Sequence, residues 1–99
     1  MQSIQIEITR PAQIDLDEIW TTIAQIDFLR ADRYVTKLEA KISGLSTFPE
    51  RGPDRSDIFP NVRVLIEGQY LIFYRFDGRV VVVMRVVHGA RDLDDLDFI

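Results

Sequence analysis

Three arginines and one histidine are the residues of this chain whose types and positions could do chemistry. Arg63, Arg75 and Arg85 fall one by one in three consecutive predicted strands, and His88 follows closely after Arg85. Guanidinium groups gathered on one face of a sheet would bind anions, and an imidazole nearby could act as a general acid or base. The alternatives are solvated arginines paired with aspartates of the chain end, and a structural histidine at a strand terminus. The residues alone leave both interpretations open.

Other catalytic and metal-binding chemistries find little support in the composition. The 99 residues include no cysteine and one histidine, so a disulfide framework, a zinc site or a Ser-His-Asp triad is poorly supported. The glycines lie in predicted turns, so there is no glycine-rich phosphate loop. A run of aspartates near the end could bind a cation but is more typical of a solvated tail: Asp92, Asp94, Asp95 and Asp97. We therefore expect no cofactor and no metal.

The chemistry-bearing residues are placed by a predicted β-meander. Runs rich in Val, Ile, Tyr and Phe predict antiparallel strands over Val62–Glu67, Tyr70–Phe76 and Arg79–His88. Gly68-Gln69 and Asp77-Gly78 separate them, and such pairs are typical of two-residue hairpin turns, which require positive φ.

Alternation along each predicted strand separates an apolar set of side chains from a set that carries an arginine. We expect the apolar face to be covered and the face with Arg63, Arg75 and Arg85 to be at least partly wet. His88 falls on the apolar side by this alternation, away from Arg85. The predicted apolar sets are Val62, Val64 and Ile66; Tyr70, Ile72, Tyr74 and Phe76; and Val80, Val82, Met84, Val86 and His88.

The first half of the chain predicts one strand and two helices. Alternating isoleucines predict a strand over Ser3–Thr9, and apolar residues three and four apart predict helices over about Ala12–Ile26 and Phe28–Phe48. Asp27 can end the first helix or cap the second, and the short link implies an antiparallel hairpin. The early acidic residues of the first helix suit its positive dipole end: Asp15, Asp17 and Glu18. The cations of the second helix lie outside its apolar stripe, mixed with Asp32 and Glu39: Arg30, Arg33, Lys37 and Lys41.

These elements predict a single α+β domain over residues 1–99, with an acidic tail over 92–99. The order is β-α-α-β-β-β, with the helical hairpin packed on one face of a mainly antiparallel sheet as two layers. The position of the first strand in the sheet stays open. Trp20 and Tyr34 fit the helix stripes and could be core residues or partner anchors; for Trp20 the core is the expected place. The predicted core is Ile4, Ile6, Ile8, Leu16, Ile19, Ile23, Leu38, Ile42, Leu45, Ile72, Tyr74, Val82 and Met84.

The net charge of −4 is unevenly distributed. Residues 1–57 carry 7 basic and 10 acidic groups, residues 58–91 carry a net +3, and residues 92–99 carry −4. A globally acidic chain binds nucleic acid poorly, because that affinity comes mainly from neutralised phosphates. No apolar run reaches the roughly 20 residues of a membrane span, and no leader pattern opens the chain. We expect a cytoplasmic protein without membrane contact or sequence-specific nucleic-acid binding.

Four stretches together resemble the ParE branch of the RelE/ParE toxins of bacterial type II toxin–antitoxin modules. They are DLDEIW (Asp15–Trp20), FPERG (Phe48–Gly52), YLIFYR (Tyr70–Arg75) and RVVHGARD (Arg85–Asp92). The resemblance covers roughly residues 4–93 and implies the fold predicted above. It also implies one of two activities: RelE-like members cleave ribosome-bound mRNA, whereas ParE-like members are regarded as poisons of DNA gyrase.

Residue by residue, the resemblance favours the gyrase-directed branch. Arg63 and Arg85 fall where RelE-like toxins place phosphate-contacting arginines, and His88 falls near an acid–base position of some nucleases. The next residue is Gly89, where those nucleases tend to carry tyrosine, and the chain's lysines both lie on the second predicted helix. These differences weigh against RNA cleavage.

Three functional interpretations follow from the resemblance. The leading one is a toxin that binds DNA gyrase and is neutralised by a cognate antitoxin, whose disordered C-terminal segment folds on the toxin in a hetero-oligomer. The second is a ribosome-dependent endoribonuclease using Arg63, Arg85 and His88. The third is an inert homologue that only binds antitoxin. The residues expected to contact target or antitoxin are Arg63, Arg75, Arg85, His88, Arg91 and Tyr34.

Overall fold

The computed structural model describes residues 4–91, Leu93 and residues 96–98. The order of elements is the predicted β-α-α-β-β-β, which confirms the α+β class. No helix within this described part is long and apolar enough to cross a membrane. The elements are β1 (Gln5–Ile8), α1 (Arg10–Ala24), α2 (Phe28–Ser43), a 3-10 turn (Gly44–Ser46), β2 (Arg63–Glu67), β3 (Tyr70–Phe76) and β4 (Val80–His88).

The four strands form one mixed sheet in the order β1-β4-β3-β2. The last three strands are the predicted antiparallel meander, and β1 lies parallel to β4 with Ile8 opposite Val83. The first strand, whose place the sequence left open, is therefore an edge strand. Because β1 ends at Ile8, no strand of the described ranges pairs with the second half of β4 on the side where β1 lies.

Side chains that accept backbone hydrogen bonds set the starts of both helices. Thr9 caps α1, because its Oγ1 accepts from Ala12 N at 3.2 Å, and the same hydroxyl donates to Met84 O at 3.0 Å. Asp27 caps α2 by accepting from the backbone N–H groups of the next turn, at 2.9 and 3.2 Å. Of the two roles predicted for Asp27, capping the second helix is confirmed.

The main core lies between the helical hairpin and one face of the sheet. Most of the predicted core residues belong to it or pack at its margin, as Ile4, Ile6 and Ile23 do. The prediction that Ile8 belongs to the core is wrong, since its side chain is 39% exposed at the end of the edge strand. The buried members are Ala12, Leu16, Ile19, Leu38, Ile42, Leu45, Leu65, Ile72, Tyr74, Val81, Val83 and Val86.

Strand β4 contains a β-bulge that the sequence did not predict. Phe73 of β3 lies opposite Arg85, and the next residue, Tyr74, lies opposite Val83, so Met84 is an extra residue in the ladder. A bulge of this kind shifts the alternation of the strand by one position. The side chains before and after Met84 therefore do not follow a single two-residue period.

The bulge changes which residues of β4 face the helices. Val81 and Val83 point into the main core before the bulge, and Val86 does so after it. The prediction that Val82 and Met84 belong to this core is wrong: Val82 is half-buried, and Met84 is buried outside the main cluster.

A second apolar cluster covers the other face of the sheet. Phe73 is buried there, and Phe98 of the tail stacks against Phe59 with ring centroids 4.8 Å apart. The face predicted to be partly wet is thus largely covered by a loop and the chain end, although Ile66 on the same face is 64% exposed. The cluster comprises Val62, Val64, Phe73 and Val87, packed against Ile58, Phe59, Leu71, Leu93, Leu96 and Phe98.

Both hairpin turns use a glycine with positive φ. Gly68 (φ 58°) is where the sequence predicted it, but the second turn lies one residue later than predicted, at Gly78-Arg79, with Gly78 at φ 97°. Asp77 N donates to Val80 O across this turn, and the Asp77 carboxylate accepts from Arg79 N and Val80 N at 2.8 Å. These backbone donors lower the pKa of Asp77, which favours the charged cap.

Two predictions concern residues outside the described part of the chain. The predicted strand start at Ser3 lies there. So do three of the four tail aspartates for which a solvated tail was expected, Asp92, Asp94 and Asp95.

Replacing Leu38 or Ile72 by alanine tests the main core directly. Both side chains are fully buried, so each truncation should lower the free energy of unfolding by about 2–5 kcal/mol. Ile66→Ala is the matched control, because Ile66 is largely exposed and its loss should cost less than about 0.5 kcal/mol. Urea titration measures all three. Equal losses at buried and exposed positions would show that the helical stripes are misassigned.

Candidate functional site

Arg85 and Asp15 form a buried ion pair at the open side of β4. Arg85 Nε lies 2.7 Å from Asp15 Oδ2, and Nη2 lies 3.0 Å from Oδ1, in a bidentate arrangement. The Arg85 and Asp15 side chains are 11% and 7% exposed. The hydrogen bonds to Asp15 raise the pKa of the Arg85 guanidinium, so it stays charged. Arg85 Nη1 also donates to Asp97 O at 2.8 Å.

Asp15 has a role that sequence reasoning missed. Besides holding Arg85, it accepts a 2.9 Å hydrogen bond from Val86 N, on the edge of β4 beyond the end of β1. Sequence reasoning placed Asp15 among acidic residues that suit the start of a helix. Its position between Ala12 and Ile19, both buried stripe residues, is the signal that it faces the core.

Arg63 holds the loop that follows α2. Its Nη1 donates to Gly52 O at 2.7 Å and to Glu50 O at 3.3 Å. The buried Tyr74 hydroxyl ties down the same loop, since it donates to Pro49 O and accepts from Gly52 N. A Cβ on Gly52 would come within 2.8 Å of a backbone oxygen, so this close approach requires glycine. Burial raises the pKa of Tyr74, which keeps the hydroxyl protonated as a donor.

Arg75 is held on the opposite face of the sheet. Its Nε and Nη2 both donate to Pro60 O, at 2.8 and 2.6 Å, and its guanidinium lies over the Phe59 ring at 4.7 Å. Arg63 lies opposite Tyr74 and so on the helix side, whereas Arg75 and Arg85 lie on the side of Phe73. The prediction of three arginines on one face is therefore wrong for Arg63.

Arg63 and Arg75 nevertheless meet at one end of the sheet. Both line a pocket of about 430 Å³ together with Asp54 and Asp77. Hydrogen bonds from the Ser56 side chain and backbone lower the pKa of Asp54, so the pocket carries negative as well as positive charge. This mixed lining is less suited to phosphate than an all-arginine face would be.

His88 lies at the end of β4 on the helix side, as predicted. Its Nδ1 accepts from Ala90 N and its Nε2 lies 3.0 Å from Gln69 Oε1, so the neutral ring carries its proton on Nε2 and donates to the amide oxygen. The ring meets Tyr70 edge to face, with centroids 5.4 Å apart. With Arg91 it borders a groove of about 190 Å³ against α1.

Tyr34 joins α2 to the turn between β2 and β3. Its hydroxyl donates to Glu67 O at 2.9 Å, and its ring packs against Tyr70 with centroids 5.5 Å apart. A Cβ on Gly68 would overlap the Tyr34 hydroxyl. Tyr34 is half-buried at the margin of the core, as its stripe position predicts, and it also lines a groove of about 480 Å³ along α2.

The candidate residues thus occupy four separate places rather than one site, the first being the ion pair of Arg85 with Asp15. His88 and Arg91 share the groove beside α1, Arg63 and Arg75 share the pocket at the sheet end, and Tyr34 lies under the groove along α2. Within the described ranges, no group of three His, Cys, Asp or Glu side chains could hold a metal ion.

Comparisons with known proteins agree on one family. The family model described as ParE toxin of type II toxin-antitoxin system, parDE, matches residues 6–93. Toxin ParE3 of Caulobacter vibrioides is 31% identical over 86 residues, which are 86% of this chain and 86% of that protein. Toxin ParE1 of the same organism is 32% identical over 84 residues, 84% of this chain and 86% of that protein.

Two solved structures share the fold. A chain of the chromosomal ParDE toxin–antitoxin system from P. aeruginosa superposes with a TM-score of 0.75 at 24% identity, covering 87% of this chain and 96% of that one. A chain of the RelBE2 toxin–antitoxin complex from Mycobacterium tuberculosis gives a TM-score of 0.69 at 23% identity, covering 87% and 98%. At these identities the likeness supports the fold alone.

Substituting Asp15 tests whether the ion pair is structural. Asp15→Ala leaves the Arg85 charge buried without its partner and Val86 N without its acceptor, so unfolding should become easier by about 3–5 kcal/mol. Asp17→Ala, at an exposed position of the same helix, should change stability by less than about 0.5 kcal/mol. Thermal and urea unfolding measure both. A loss at Asp15 no larger than at Asp17 would contradict a structural role for the pair.

Proposed function

This chain belongs to the ParE toxin family of type II toxin–antitoxin systems, and from that premise we propose that it stops bacterial growth by binding DNA gyrase in the cytoplasm. The observation that carries the proposal is the family match over residues 6–93, supported by two ParE toxins that align with most of the chain. A toxin that acts by binding needs a complementary surface rather than assembled catalytic groups.

The chemistry of the candidate residues favours binding over RNA cleavage. Cleavage by 2′-hydroxyl attack needs a base, an acid and a group that stabilises developing phosphorane charge. Arg85 is held by Asp15, and His88 lies on the opposite side of β4 from Arg85. The net charge of −4 also gives the chain little general attraction to ribosomal phosphates.

We propose the end of β4 as the surface that contacts gyrase. His88 and Arg91 are both exposed there, and they border the groove against α1. Arginine and aromatic residues are enriched at protein interfaces, and here Arg91 lies near the Tyr70 ring that contacts His88. Arg85 acts through its ion pair with Asp15, which holds this strand end in place.

The proposed partner that neutralises the toxin is a cognate antitoxin. Its C-terminal segment would be disordered alone and would fold along the helical hairpin and the edge strand β2. Residues 53–55 already cover part of that edge, since Val64 N donates to Pro53 O and Arg55 N donates to Val62 O. Ile66, farther along β2, is exposed, and a hydrophobic antitoxin side chain would cover it. Arg63, Arg75 and Tyr34 are further proposed contacts.

A supercoiling assay with purified DNA gyrase and relaxed plasmid tests the proposal. The chain should inhibit supercoiling, and His88→Ala/Arg91→Ala should raise the half-inhibitory concentration by about tenfold, the loss of contacts worth about 1.4 kcal/mol. Arg79→Ala removes an exposed cation of the β3–β4 turn and should leave inhibition unchanged. Equal effects of both variants would contradict the proposed surface.

A parallel assay with translating ribosomes separates the alternatives. Codon-specific mRNA cuts that vanish in His88→Ala, together with normal gyrase activity, would establish an endoribonuclease instead. Inactivity in both assays, with antitoxin binding retained, would identify an inert homologue.

A further inference from the structure

Helix α2 carries a row of four cations, Arg30, Arg33, Lys37 and Lys41, called the basic row below. Successive members are three or four residues apart, so they project from one side of the helix. The row is roughly 16 Å long, since each helical residue adds about 1.5 Å. The first three side chains are exposed and Lys41 is half-buried.

Within the described residues, no side chain of the basic row forms an ion pair with another group of this chain. The ion pairs there join Arg55 to Asp57 and Arg85 to Asp15, and neither involves the basic row. The acidic residues of the same helix lie on another side of it. The Asp32 carboxylate accepts a hydrogen bond from Trp20 Nε1 of α1 at 2.7 Å. Glu39 lies two helical turns after Asp32 and therefore on the same side of α2 as Asp32. By contrast, the sheet arginines Arg63, Arg75 and Arg85 all donate to groups of this chain.

A groove of about 480 Å³ runs beside the basic row. Its lining includes the first three cations, the capping residue Asp27 and Tyr34. Tyr34 is fixed by its hydrogen bond to Glu67 O, so the groove has a rigid floor where α2 meets the end of β2. A partner lying in this groove would therefore contact the helical hairpin and the sheet edge together.

A further cation flanks one end of the basic row, and an exposed apolar residue flanks the other. Beyond Lys41, Arg51 Nη1 lies 3.7 Å from where a Cβ on Gly44 would be, which brings another cation next to the end of α2. At the other end Leu29, four residues before Arg33, is 65% exposed. The surface thus joins an apolar contact point to a line of positive charge.

We propose that the basic row and its groove are the docking site for an acidic segment of the antitoxin, an inference that rests on the proposed function. Acidic side chains spaced three or four residues apart on a helix would match the spacing of the row, with one apolar side chain covering Leu29. The row would steer an acidic segment toward the toxin and set its register.

A protein segment fits this surface better than a nucleic acid does. The whole chain carries a net charge of −4, so a phosphate backbone that extends beyond the row meets repulsion. Asp27 in the lining and the exposed Leu29 also suit a polypeptide, which can place a donor and an apolar side chain at chosen points. A phosphate backbone offers neither group.

Charge reversal on the basic row, with a matched reversal elsewhere, tests the inference. Arg33→Glu/Lys37→Glu should weaken binding of the cognate antitoxin at least about tenfold, chiefly through slower association, and should reduce the salt dependence of that binding. Arg10→Glu/Arg79→Glu changes the net charge equally at exposed positions outside the groove and should leave affinity within about twofold. Equal weakening by both variants, or by neither, overturns the inference.

A second probe keeps this test separate from the proposed function. A synthetic helical peptide with glutamate at every third or fourth position and one terminal leucine should shift the amide resonances of α2, and its glutamine analogue should not. If the cognate antitoxin fails to bind the unmodified chain, the proposed antitoxin partnership is rejected. The peptide still tests whether the basic row binds an acidic helix. Tighter binding of an oligothymidylate of equal charge at α2 overturns it in favour of nucleic acid.

The reversed variant must also be folded for the comparison to hold. Thermal unfolding followed by circular dichroism checks this, since two glutamates four residues apart repel each other on a helix. Arg33→Gln/Lys37→Gln avoids that repulsion and replaces the reversed variant if the latter unfolds. It should weaken binding of the peptide severalfold. Unchanged affinity in this neutral variant contradicts the inference.

Discussion

The ion pair between Asp15 and Arg85 is the interaction on which the arrangement of this protein depends. Strand β1 ends at Ile8, so beyond Val83 the edge of β4 that faces away from β3 is paired with no strand among the described residues. The Asp15 carboxylate takes the place of a neighbouring strand there. It accepts hydrogen bonds from Val86 N and from Nε and Nη2 of Arg85. A buried carboxylate is tolerated only when its oxygens are paired and hydrogen-bonded in this way. Helix α1, the bulge in β4 and the chain end near Asp97 are all connected through this one pair.

The ion pair also shows that Arg85 has a structural role in the sheet. An arginine held by a buried carboxylate positions its strand, and it offers little to a substrate phosphate. Arg63 has a comparable structural role, since it holds the loop carbonyls of Glu50 and Gly52. A row of cations without an ion pair in the described part of the chain lies instead on α2. The chain has the fold of its family, and within that fold the three sheet arginines hydrogen-bond to groups of the chain itself.

The sequence predicts the elements well, because each depends on local patterns. Helical stripes, the Asp27 cap and the glycine of the first hairpin turn depend only on residues close in the chain. The bulge at Met84 could not be predicted, since no glycine or proline marks it and the apolar run on both sides fits an unbroken strand equally well. The partner of Asp15 is 70 residues away in the sequence, and only the assembled sheet brings the two together. The face on which each arginine lies depends on the bulge and on the register of the strands. The prediction that Arg63 shares a face with Arg75 and Arg85 was therefore wrong, although the family resemblance was confirmed.

The claim that Arg85 is structural rather than a contact to target or substrate is tested most directly by Asp15→Asn/Arg85→Gln. This variant keeps an acceptor for Val86 N and a polar pair at the same place but removes both charges. Its inhibition of DNA gyrase is compared with that of the unmodified chain at a temperature where both are folded. The account predicts half-inhibitory concentrations that agree within about threefold, well below the tenfold change of one lost contact. Loss of inhibition in a folded variant would contradict it.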